Sequence, residues 1–204
     1  MNVREHDDEP VRGLPGFLPK GEEIIWQGSP EWKRLALDAL HIRAVGVYFA
    51  ALVVLGAVQA MRGAATWSGI GMTIAVALIG IGILALIAWG SARSTVYTLT
   101  NRRIVMRIGI ALPKCINLPL SVIGSADLAQ NSDGTGDIAL NLTAHQRLGY
   151  IQLWPHARPW KLATPQPMLR GVPDAQAVSA MLARACGTRL QVTPDAAPVQ
   201  ALAA

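Results

Sequence analysis

The sequence predicts an α+β membrane protein: a two-helix transmembrane hairpin, then an antiparallel β-barrel domain capped by a C-terminal helix. Three observations carry that expectation. Residues 67–89, from Trp67 to Trp89, contain no charged side chain. Residues 44–60 form a second, shorter charge-free run. Beyond residue 93 the pattern turns to short alternating segments, with one amphipathic helical segment near the end.

The hairpin organises the rest. At about 1.5 Å per residue the second run crosses a hydrocarbon core of about 30 Å. Trp67 and Trp89 stand at its ends, where aromatic side chains favour the interface. Arg43 and Arg62 bracket the first run, and their stems let the charges reach the headgroups. A soluble protein can bury one such helix, but two in tandem are hard to hide in 204 residues. The net charge of +5 works first as a topology signal. Lys33, Arg34 and Arg43 precede the first run, Arg93, Arg102, Arg103 and Arg107 follow the second, and the turn carries only Arg62. The positive-inside rule then puts both termini in the cytoplasm. These charges hug the spans and form no stripe interleaved with aromatics, which argues against nucleic acid and for anionic lipid. Cys115 and Cys186 fall in a reducing compartment without metal-ligand spacing, so each reads as a small buried hydrophobe.

Residues 1–30 form a Pro/Gly-rich N-terminal segment. It opens on an acidic run, Glu5 to Glu9, read as a solvated tail. Pro15 and Pro19 forbid a long helix there. Glu23 to Gly28 reads as a short strand, expected to join the later sheet or lie on the membrane surface, since a lone strand has unpaired edges. Glu31 to Ile42 reads as an amphipathic approach helix continuing into the first span, with Trp32 at the interface. Residues 31–89 thus hold the approach helix and the hairpin. Gly46 and Ala50, Gly56 and Ala60, and Gly71 and Ala75 are small residues four apart, suited to the spans packing on each other and, more weakly, to a homodimer seam.

Residues 93–187 form the cytoplasmic domain. Ser94–Thr100 and Arg103–Ile108 read as a β-hairpin turning at Asn101-Arg102 and stopped by Gly109. Cys115–Leu118, Ser125–Ala129, Gly136–Leu142 and Tyr150–Trp154 read as strands, and Pro167–Arg170 as a last extended piece. Asp133-Gly134 marks a turn. Ala175–Cys186 is a helix with Val178, Met181, Leu182 and Ala185 on one face and Gly187 past its end. Residues 188–204 are Ala/Pro-rich and read as a disordered tail. Seven short strands and one terminal helix give the outline of a pleckstrin-homology-like (PH-like) barrel.

The run Tyr97-Thr98-Leu99-Thr100-Asn101-Arg102-Arg103 followed by Gly109 resembles the first hairpin of bacterial PH-like domains. Further segments are narrower: Glu9–Pro15, Leu18–Glu22, Trp26–Trp32 and His41–Arg43, then Leu153–Trp160 and Pro167–Arg170. Over about residues 5–186 they resemble the PuhB family of photosynthetic-complex assembly proteins from purple phototrophic bacteria. The resemblance implies a multi-pass protein of the bacterial inner (cytoplasmic or intracytoplasmic) membrane, non-enzymatic and without a cofactor. It also implies contact with the reaction-centre subunits, the core antenna complex and itself.

Candidate interaction residues are Trp154, His156, Arg158 and Trp160, in a stretch stiffened by Pro155 and Pro159. Trp and Arg dominate interface hot spots, and a stiff loop costs less to order on binding. The alternative is a structural corner with Arg158 stacked on a Trp. Trp32, Arg43, Arg62, Trp67, Trp89, Arg93, Arg102 and Arg103 are candidate membrane-interface residues. His41 has the chemistry of an axial ligand for a bacteriochlorophyll magnesium, although an interfacial hydrogen-bonding role explains it more simply. His145 and His156 make no metal set. No nucleophile elbow is present, and Gly134-Thr135-Gly136 lacks the rest of a nucleotide fingerprint.

Overall fold

The computed structural model describes residues 12–143 and 148–187. The acidic run at 5–9, His145 and the 188–204 tail lie outside the described residues. The chain divides into two units: Trp32–Gly90 is one, and the segments on either side of it together form the other.

In the first unit, Trp32–Arg34 (α1) runs into a π-helical turn, Leu35–Ala39. The expected continuous approach helix is interrupted. His41 stands in the left-handed region at φ 51°, which no helix can propagate. Leu35 and Ala36 are buried against Ala88, so this stretch is held by packing. The first expected span forms the helix Ile42–Met61 (α2), slightly longer than expected. The second is Trp67–Ser94 (α3), which continues five residues beyond Trp89. Both are long and apolar enough to cross a membrane, and their most apolar windows are 0% and 6% buried. The two helices of a soluble core would bury far more. A side chain on Gly56 would press against Ile70, so the spans approach there. Gly46 and Gly71 face open space, so of the three small-residue pairs only the one at Gly56 lies at a close approach.

The second unit is β-rich. Ile24–Gly28 (β1), Val96–Thr100 (β2), Arg103–Ile108 (β3) and Lys114–Pro119 (β4) form an antiparallel sheet in that order. A 3-10 turn at Leu120–Val122 leads to a second sheet of Ile123–Gln130 (β5), Gly136–Leu142 (β6) and Met168–Val172 (β7). The pre-span strand therefore joins the sheet, pairing Gly28 with Tyr97. Two corrections follow. Among the described residues the strands make two separate sheets, four- and three-stranded, and no closed barrel. Tyr150–Leu153 is a helical turn (α4), not a strand, because Gly149 starts it and only Leu153 turns into the core.

The core is shared by both sheets and the last helix, Ala175–Cys186 (α5). Tyr97, Leu99, Ile104, Met106, Leu118, Ile138 and Leu140 meet Val178 and Leu182 there. Gly136 is where α5 begins its contact, since a Cβ there would strike the Ala175 methyl and the Ala129 carbonyl. Gly187, at φ 62°, closes the helix in the left-handed conformation. The N-terminal segment straps the sheet: Gly13 lies against Val96 and Leu14 is buried. Glu22 reaches Thr100 and Arg103. Cys115 is exposed on β4, contrary to the expectation of burial.

Candidate functional site: an outward-facing tryptophan loop

The stretch from Gly149 to Pro167 is held from inside and bare outside. Its inner anchor is His156, which is fully buried. The ring lies edge-on to Tyr97, with Nδ1 2.7 Å from the Tyr97 hydroxyl and Nε2 3.1 Å from Thr95 Oγ1. The Arg170 amide donates to the same Tyr97 oxygen at 3.1 Å. The hydroxyl's own proton is then free for His156 Nδ1, and the Nε2–H donates to Thr95; this tautomer satisfies the network. Burial, with the Arg170 charge adding to it, lowers the His156 pKa to about 3, so the ring is neutral. Burial raises the Tyr97 pKa, so the phenol keeps its proton. The Arg170 guanidinium bonds the Ala157 carbonyl at 3.1 Å.

Backbone bonds complete the anchor. The Met168 amide donates to the His156 carbonyl, and the Arg158 amide to the Gln166 carbonyl. The Arg158 side chain pairs with Asp127 and Gln166. Arg158 is thus engaged within the domain, and its side chain stays partly exposed. His156 is likewise a packing residue, since a fully buried ring offers nothing to a partner. The other two candidates face outward. Trp160 is 92% exposed, and Trp154, preceding a cis Pro155, is half exposed. Trp160 sits at φ 63°, a costly conformation for a bulky residue, held by the flanking anchors. Ile151 and Leu162 are also exposed. The loop thus carries large exposed apolar side chains on a stretch tied to the domain at Ala157–Arg158 and Gln166–Pro167.

The interface candidates separate. Trp32, Arg43, Arg62, Trp67 and Trp89 are exposed on their unit, and Arg93 is exposed near the end of α3. Arg102 and Arg103 are not beside the span end. β2 runs away from Ser94, so their turn lies a full strand-length from it. Arg103 is bound to Glu22 through two bonds of 2.7 and 2.9 Å. Burial pushes the Glu22 pKa up, but hydrogen bonds from Arg103 and Thr100 and the charges of Arg103 and Arg102 outweigh it, leaving it lowered. His41 is exposed at the start of α2. Sequence reasoning missed Thr95, Glu22, Asp127 and Arg170. Their partners are 31 to 81 residues away, or 13 for Arg170, and no local pattern announces them.

Two antiparallel sheets packed under one C-terminal helix define a PH-like domain, and the family comparison agrees. The family model described as "Bacterial PH domain" matches residues 41–185, and the chain belongs to that family. A curated relative in Rhodobacter capsulatus, named "Uncharacterized 23.7 kDa protein in puhA 5'region", is 37% identical over 201 residues, covering 93% of this chain and 91% of that protein. No solved structure matches the chain.

Proposed function

We propose that this protein is a non-enzymatic membrane scaffold that assists assembly of the photosynthetic reaction centre and core antenna. The helices anchor it in the bacterial inner membrane with both termini cytoplasmic, and the domain presents Trp154 and Trp160 to a nascent subunit. The observation that carries this is the Trp loop: its anchors are buried, and its two largest side chains are left for something else to cover. The photosynthetic context is supported by the relative's place in a puhA 5' region, and by the resemblance of residues 5–186 to the PuhB family. The PH-like fold supports binding without chemistry. Contact must be transient, since an assembly factor leaves the finished complex.

The experiment is the near-infrared absorption of membranes from a strain lacking the protein, beside the complemented strain. A selective loss of the reaction-centre and core-antenna bands, restored by the wild-type gene but not by Trp154→Ala/Trp160→Ala, is the expected result. An unchanged spectrum under phototrophic growth removes the assembly role and leaves a membrane-anchored PH-like module for unrelated protein or lipid partners. Loss of a bound pigment with His41→Ala would instead point to pigment handling.

A further inference from the structure

We propose that the β3–β4 loop, residues 109–113, is a lipid-inserting tip that seats the PH-like domain on the bilayer. The idea rests on the reading that α2 and α3 span the membrane. Three observations carry it.

The first is register. β2 pairs Val96 with Arg107 and Tyr97 with Met106. Val96 is the first residue of β2 and follows α3 by two residues, while its partner Arg107 stands next to the end of β3 at Ile108. The loop therefore lies at the end of the sheet where the chain arrives from the helix. β1 leaves from the same end, since Gly28 pairs with Tyr97 just before the chain departs toward α1.

The second is what the loop displays. Ile110 is 55% and Leu112 is 78% exposed, and Ala111 and Pro113 are exposed with them. No residue from 110 to 113 turns into the core, although β3 beside it is buried from Ile104 to Ile108. Lys114 follows immediately and is exposed. Two apolar side chains beside a cation match a bilayer's acyl boundary and anionic surface.

The third is rigidity. Gly109 holds φ 117°, and a Cβ there would strike the Leu112 carbonyl. Pro113 closes the other side of the turn. A tight turn holds the tip in shape, so little ordering entropy opposes its insertion.

The test uses the full-length protein with Cys115→Ser and Cys186→Ser. It is reconstituted into phosphatidylethanolamine/phosphatidylglycerol vesicles and labelled at one cysteine with the fluorophore NBD. Leu112→Cys reports the tip. Arg102→Cys reports the opposite end of the sheet, about 20 Å away along the strands. Leu78→Cys reports the second span. The expected result is blue-shifted emission at 112, quenched severalfold by lipids spin-labelled near the headgroup, with 102 as in water and 78 quenched only by deep labels. Emission at 112 matching that at 102, with 78 deep, overturns the tip and leaves the spans intact. A blue shift at 112 that lipid quenchers do not touch also overturns it, because protein and not lipid then covers the loop. If 78 is not deep, the spanning reading fails and the tip falls with it.

Discussion

His156 shows how far one side chain can be from its surface appearance. It is read from sequence as an interaction residue, yet it holds the loop from beneath. Its neutrality makes stability depend on pH. An unfolded His takes up a proton near 6.5, whereas the folded ring resists until about 3. Between those values the unfolded state holds more protons, so acidification destabilises the domain by up to about 1.4 kcal/mol per pH unit. Denaturant midpoints between pH 7.5 and 5 should fall along that slope, and His156→Gln should flatten it while lowering stability at neutral pH. A slope that survives the substitution would assign the effect elsewhere. Glu22 titrates in a lower window. Its lowered pKa means that its contribution is intact above 4.5 and lost as pH falls through the folded value. Glu22→Ala leaves Arg103 and Thr100 without their partner. It should cost about 2 kcal/mol at pH 7, read by chemical denaturation, and loosen the strap at Gly13–Glu22, read by proteolysis.

At the scale of elements, some segments speak for themselves in sequence and others do not. The spans were legible because absence of charge over so many residues has few explanations. The β2–β3 hairpin was legible from its β-branched alternation, and α5 from its one apolar face and Gly187. Tyr150–Leu153 was misread because Tyr150, Ile151, Leu153 and Trp154 are apolar in a pattern that fits either period, and four residues cannot decide between them. The π-turn at Leu35–Ala39 was illegible because it is set by Ala88, far along the chain. The Trp loop was found by residue type, but which members face out was decided by bonds to Thr95, Tyr97 and Asp127. Trp154→Ala/Trp160→Ala should therefore abolish partner co-purification while moving the thermal midpoint little, since both side chains are at least half exposed. Between the spans, Gly56→Leu should weaken helix pairing by crowding Ile70, and Gly46→Leu should not. A gel or resonance-energy-transfer measurement in detergent separates the two.

For the whole molecule, the two sheets and α5 were foreseen as a barrel with a cap. Its parts were legible, but its closure was not, because alternation along a strand does not say whether the outermost strands meet. Charge placement predicts the compartment, and that expectation can be checked as a whole. Cysteines introduced near Arg62 and near Arg102 should react with a membrane-impermeant thiol reagent on opposite faces of sealed vesicles. Equal reaction from one face would overturn the two-span arrangement. That experiment also tests the photosynthetic proposal indirectly, since a scaffold for cytoplasmic-face assembly needs its domain on that face.

The pairing of β1 with β2 bears on how the protein is made. One strand is synthesised before the hairpin and the other after it, and they are neighbours in a single sheet. On the proposed two-span arrangement, such a sheet can form only if an even number of segments crosses the bilayer. A chain that threads one helix and leaves the other behind would strand its two halves on opposite sides, with the β2 edge bare. Folding of the domain would then proofread insertion, and the penalty for error would be an exposed strand edge. Deleting residues 67–89 should convert a long-lived protein into a rapidly degraded one, and a pulse-chase measurement of its half-life would show it.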